Sequence, residues 1–123
     1  MNHPDPAGSY VASVVMLYLE MPDTPIRVSA SDQWLARHFH RDGVPLETVE
    51  TALLLGSLRR LIRPADSPHL APIRSLAYFR PVIDELQDNP APENYREYLR
   101  TKLRMATQKR PAEVQKTTFS DDR

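Results

Sequence analysis

The side chains of this sequence best able to do chemistry are its arginines, and their spacing points to phosphate recognition rather than catalysis. Arg59, Arg60 and Arg63 crowd the end of an apolar segment, Arg74 follows a short loop, and Arg96, Arg100 and Arg104 recur every four residues. A guanidinium fork matches phosphate oxygens and guanine edges better than an ammonium does, although it also serves ordinary ion pairs. Arg96, Arg100 and Arg104 share one face of a helix. They can track a nucleic-acid backbone, or pair with Glu93 and Glu97, each three residues before an arginine. Thr48 and Thr51 lie near the start of a second helix, where a hydroxyl can donate to a base or a phosphate. The DNA-contact candidates are therefore Thr48, Thr51, Arg59, Arg60, Arg63, Arg74, Arg96 and Arg100. Glu47 and Glu50 stand beside the threonines and oppose a phosphate backbone; they equally suit the positive end of a helix dipole. Arg59, Arg60 and Arg63 suit a helix C-terminus for the same reason.

The pattern offers little to an enzyme. Glycine occurs only at Gly8, Gly43 and Gly56, so no glycine-rich phosphate loop exists. Asp84 and Glu85 are adjacent, which on a helix points them about 100° apart. Cysteine is absent, which excludes disulfides, thiolate metal sites and a cysteine nucleophile. His38 and His40 fall on opposing sides of a helix, and no carboxylate spacing completes a metal site. We expect no catalysis, no cofactor, no metal and no small-molecule substrate. Trp34, Tyr78 and Phe79 could stack on unpaired bases, but the ordinary place for such residues is the core.

The 123 residues suffice for one domain, and 41% hydrophobic content supports a core. Sixteen basic residues balance sixteen acidic ones, so net charge does not itself announce a nucleic-acid partner. The distribution is more informative: Gln33 to Arg80 holds seven arginines and four acids, a local excess of +3. The longest apolar run, Tyr10 to Leu19, is too short to cross a bilayer and lacks a basic leader. With no cysteine, these features suggest a soluble cytoplasmic protein.

The elements that must carry the arginines can be read from periodicity. Residues 1–8 form a flexible lead-in. Ser9 is placed to cap a helix from Tyr10 to about Met21, although its β-branched residues also permit a strand. Pro22 and Pro25 end it, and Ile26 to Ser29 alternates as a short strand does. Ser29 or Ser31 can cap a helix from about Ser31 to His40, which turns Trp34, Leu35, Ala36 and Phe39 inward. Asp42-Gly43 reverses the chain. Pro45 then opens a helix from Leu46 to about Arg60 with two apolar arcs, and Gly56 permits a close approach or a kink. Residues 64–72 form a proline-rich loop. Ile73 to Leu86 is helical with a kink or a break at Pro81. Residues 89–92 link to a helix from Glu93 to about Met105, with Tyr95, Tyr98, Leu99 and Leu103 on its apolar side. Residues 107–123 lack the apolar content to fold. The main domain is thus 9–88, with the linker and last helix at 89–106 packed upon it.

The pairs Leu35-Ala36, Gly43-Val44, Thr48-Val49 and Ala52-Leu53, with Leu61-Ile62-Arg63, resemble the pattern of bacterial and phage winged helix-turn-helix proteins. The resemblance covers about a third of the chain. It implies a mainly α fold with a helix-turn-helix core, winged-helix-like, one short strand and extra C-terminal helices. The helix starting at Leu46 would be its recognition helix. It further implies binding to double-stranded DNA in transcription regulation or replication of a mobile element. The sequence departs from the family after Arg63, where a wing should alternate and this chain does not. Zero net charge and the glutamates near Thr48 favour an alternative, a protein-interaction adaptor on the same fold. A homodimer formed through the last helix is a third possibility.

Overall fold

A computed structural model describes residues 5–108, and it is mainly helical: α1 (Pro6–Glu20), α2 (Ala30–Arg41), α3 (Leu46–Leu61), α4 (Arg80–Asp88) and α5 (Tyr95–Gln108), with a 3-10 turn at Leu76–Phe79. No strand occurs among the described residues. The expected disordered tail lies outside them from residue 109 onward, and Thr107 and Gln108 complete α5.

α1 begins earlier than Ser9 suggests. The Asp5 carboxylate accepts from the Ala7 amide at 3.2 Å, and Pro6 occupies the first turn, where a missing donor does no harm. Val11, Val14 and Tyr18 form the buried stripe, whereas Met16 is exposed. Residues 26–29 are irregular rather than a strand, because no second segment lies alongside to complete a ladder. The single long-range backbone bond of this connection runs from the Ile73 amide to the Asp23 carbonyl.

α2 is defined by a capping box. The Ser29 hydroxyl accepts from the Asp32 amide at 3.0 Å, and the Asp32 carboxylate accepts from the Ser29 amide at 3.2 Å. The other Asp32 oxygen accepts from the Leu76 amide at 2.9 Å, which clasps the 3-10 turn to α2. Leu35, Ala36 and Phe39 face inward. Trp34 does not: at 100° per residue it falls on the opposite side from those three, and it is 58% exposed.

The α2–α3 turn ends as the sequence suggests. Gly43 has φ +78°, its amide donates to the His40 carbonyl, and the Val44 amide donates to the Phe39 carbonyl at 3.0 Å. This is a Schellman ending, with buried Val44 and Phe39 supplying the apolar contact that accompanies it. The Tyr10 hydroxyl donates to the Val44 carbonyl at 2.8 Å, tying the turn to α1. α2 packs chiefly on α1, whereas α3 packs on α5 and α4 more than on α1.

α3 is the central helix. Val49 and every residue from Thr51 to Leu58 are buried, because α1, α4, α5 and the 3-10 turn surround it. A fully buried leucine is worth about 1.5–3 kcal/mol relative to an exposed one. Gly56 serves close approach: a Cβ there would stand 2.8 Å from the Phe79 ring. Where a wing would stand, the described residues form a loop and the 3-10 turn. Pro81 starts α4 instead of kinking a longer helix, since the first turn tolerates its missing donor. On α5, Leu99 and Leu103 face α3, while Tyr98 is exposed, correcting its assignment to the apolar side.

Candidate nucleic-acid interface

Two of the DNA-contact candidates sit at the start of α3. Thr51 is buried, and its hydroxyl donates to the Glu47 carbonyl at 2.7 Å, the backbone of its own helix. Thr48 is partly buried and opens, with Glu47, into a groove of about 540 Å³ walled by Pro90, Ala91, Pro92 and Arg96. The first turn of α3 is therefore flanked by the α4–α5 linker and presents a carboxylate at its mouth.

The arginines of α3 are held by the protein itself. Arg59 makes a two-pronged pair with Glu85, at 2.9 and 2.7 Å. That hydrogen bonding holds the Glu85 carboxyl below the usual carboxylate range and raises Arg59. The Arg60 side chain is 7% exposed. It donates to the Ala71 carbonyl at 2.8 Å and to Asp23 at 3.3 Å, and it lies 5.4 Å from the Tyr78 ring centre. Arg63 donates to the Pro68 carbonyl at 2.7 Å, closing the proline-rich loop on itself.

Two of the three α5 arginines are also engaged, across helices. Arg96 pairs with Glu50 at 3.5 Å, and Arg100 bonds both Glu50 and Glu97. Burial works against the Arg100 charge, but hydrogen bonding and the charges of Glu50 and Glu97 outweigh it and raise its pKa. Glu50 thus serves as the tie between α3 and α5. Of the eight candidates, only Arg74 is an arginine without a hydrogen bond or ion pair among the described residues.

A second cationic face lies on and beside α2. Among the described residues, Arg27, Arg37, Arg41, Arg74, Arg80 and Arg104 make no ion pair or hydrogen bond. Four of the six gather on or beside α2. Arg37 and Arg41 lie one turn apart on its exposed face, about 6 Å along the axis. Arg27 lies two residues before the Ser29 cap, and Arg74 two residues before Leu76, whose amide is bonded to Asp32 of α2. Trp34 shares that exposed face and stacks on His38, with ring centres 5.2 Å apart and planes 14° from parallel. The carboxylates nearest in sequence are occupied: Asp32 is buried in the capping box, and Asp42 meets His38 at 3.3 Å.

A signal for this face was present. The positions three and four residues away from Arg37 are Gln33, Trp34, His40 and Arg41, so no local carboxylate can neutralise it. Among the described residues, no group of three His, Cys, Asp or Glu is placed to hold a metal, and no helix is long and apolar enough to cross a membrane. The chain matches no protein-family model, no curated protein and no solved structure.

Proposed function

We propose that this protein is a small, non-catalytic DNA-binding module whose contact surface is the outer face of α2. The observation that carries the proposal is the pair Arg37 and Arg41, exposed and without an ion pair or hydrogen bond, with Arg27 and Arg74 at the N-terminal end of the same helix. In a helix-turn-helix the second helix enters the major groove and the first crosses the phosphate backbone. Here the element order is kept, but enclosure of α3 leaves α2, the backbone-crossing helix, as the one presented. Affinity then comes mainly from phosphates, with little reading of base edges. Gene regulation or replication of a mobile element is the setting that the helix-turn-helix resemblance implies.

The test is titration of a labelled 20-bp duplex at 50 and 200 mM salt. Binding weakens steeply with salt, and R37E/R41E lowers affinity and reduces the log–log salt slope by about 2. R59A and R63A leave affinity unchanged. Loss of binding in R59A or R63A, with R37E/R41E unaffected, overturns the assignment.

A protein-interaction adaptor or homodimer is the second reading. It is favoured by Tyr98 and Met105, which are 54% and 47% exposed on one flank of α5. Concentration-dependent sedimentation abolished by Y98E would support the homodimer.

A further inference from the structure

Trp34 is out of place for a structural residue. It is the single tryptophan of the chain, yet it stands 58% exposed at the centre of a cationic helix face. One ring face rests on His38, and His38 in turn reaches Asp42, so the indole is braced along α2 by residues at successive turns. No other ring among the described residues contacts Trp34. A braced indole with an open face, about one turn before Arg37 and two turns before Arg41, combines the two components of single-strand binding. These are a flat surface on which a base can stack and cations that follow the backbone. Duplex DNA has no use for the first component, because its bases are already stacked on one another. Reading base edges within a duplex would need an element able to enter a groove, and α3 is enclosed by its neighbours.

We infer that the α2 face takes single-stranded nucleic acid, with an unpaired base stacked on the free face of Trp34 and the flanking phosphates held by Arg37 and Arg41. This inference rests on the phosphate-binding reading above and deepens it by naming the form of nucleic acid. An acidic protein segment would satisfy the arginines equally well. It has no planar base for the indole, so the open ring face favours the nucleic acid.

Because Trp34 is the only tryptophan, the intrinsic fluorescence of the full chain reports on this one position. The protein is titrated with dT12 and with a 12-bp duplex, followed by its own emission and by anisotropy of the labelled oligonucleotide. The expected result is quenching by dT12 and much less by the duplex. W34L should weaken dT12 binding by about tenfold while leaving duplex binding unchanged, and W34F should recover part of the loss. Trp34 is not one of the buried core residues, so circular dichroism of the variants should match the parent. Equal affinity of W34L and the parent for dT12 overturns the inference. If both nucleic acids bind with steep salt dependence but neither quenches, the phosphate reading survives and the single-strand inference falls. If neither binds, both fall. Quenching by poly-glutamate as strong as that by dT12 also overturns the inference, in favour of an acidic protein partner.

Discussion

Gly43 separates two helices that both carry arginines, with opposite outcomes. Arg37 and Arg41 of α2 stand in solvent, whereas Arg59 and Arg60 of α3 are held by Glu85, Asp23 and the Ala71 carbonyl. The difference lies in what packs around each helix. α2 leans on α1 and the 3-10 turn with one side only, so a whole face remains free. α3 is surrounded, and its cations emerge only where α4 and the 64–72 loop supply partners. An arginine run therefore says little about ligand contact until the neighbouring carboxylates and carbonyls are placed.

The sharpest way to break the comparison is to unfasten α2 from the rest. Asp32 is 2% exposed and accepts from the amides of both Ser29 and Leu76. Asp32→Ala removes the side-chain half of the capping box and leaves the Leu76 amide buried without a partner. The expected loss is about 2–4 kcal/mol, read from chemical denaturation. A loss below about 0.5 kcal/mol would show that the clasp does not hold α2 in place.

The next test sets one arginine of each kind against the other. Arg60→Ala should cost about 2 kcal/mol, because Asp23 and the Ala71 carbonyl lose a buried donor. Arg37→Ala should stay within about 0.5 kcal/mol of the parent, as surface changes without partners usually do. Equal losses in the two variants would erase the distinction between the helices.

A smaller effect probes the turn between them. Tyr10→Phe removes the hydrogen bond to the Val44 carbonyl and should cost about 1 kcal/mol at neutral pH. Burial pushes the Tyr10 hydroxyl up to about 12 from an ordinary value of 10.0. The unfolded chain therefore loses this proton first. The resulting stability is complete below pH 10 and disappears as pH rises from about 10 to about 12. Denaturation midpoints at pH 8 and pH 11 should fall less in Tyr10→Phe than in the parent. Some fall remains in the variant because burial and the charge of Asp32 also raise Tyr18.

Much of the fold was legible because its signals are local. The Gly43 reversal, the capping serine of α2, the Leu35, Ala36 and Phe39 stripe and the presence of α5, though not its ends, follow from residues within a few positions of each other. What the sequence hid depends on distant partners. Arg59 finds Glu85 26 positions away and Arg60 finds Asp23 37 away, spacings that no helical period encodes. The double apolar arc of α3 did signal contact from several sides, but α3 was still expected to present a face to DNA. The strand at 26–29 failed for want of a partner, which alternation alone does not supply. Trp34 was placed inward on residue type although its angular position on α2 already argued against it.

The slightest perturbation bears on whether α3's surface arginines differ from those of α2 only through their partners. Glu85 is held below the usual carboxylate range by its hydrogen bond to Arg59. A lowered folded-state value means the contribution is present above the ordinary carboxylate range and is lost as pH falls through the folded value. Glu85→Gln keeps the shape and removes the charge. Both side chains are about half exposed, so water screens the pair and its worth is at the low end for ion pairs. The variant should melt slightly below the parent at pH 7, and the gap should narrow as pH falls below the ordinary carboxylate value and close once the folded-state carboxylate is protonated too. Raising salt to 1 M at pH 7 should narrow it too, because exposed charges are screened over a few ångströms. A gap that persisted through both treatments would place the interaction in packing rather than charge. Arg59 would then be fixed to α4 by shape, and its difference from Arg37 would not depend on a neutralising partner.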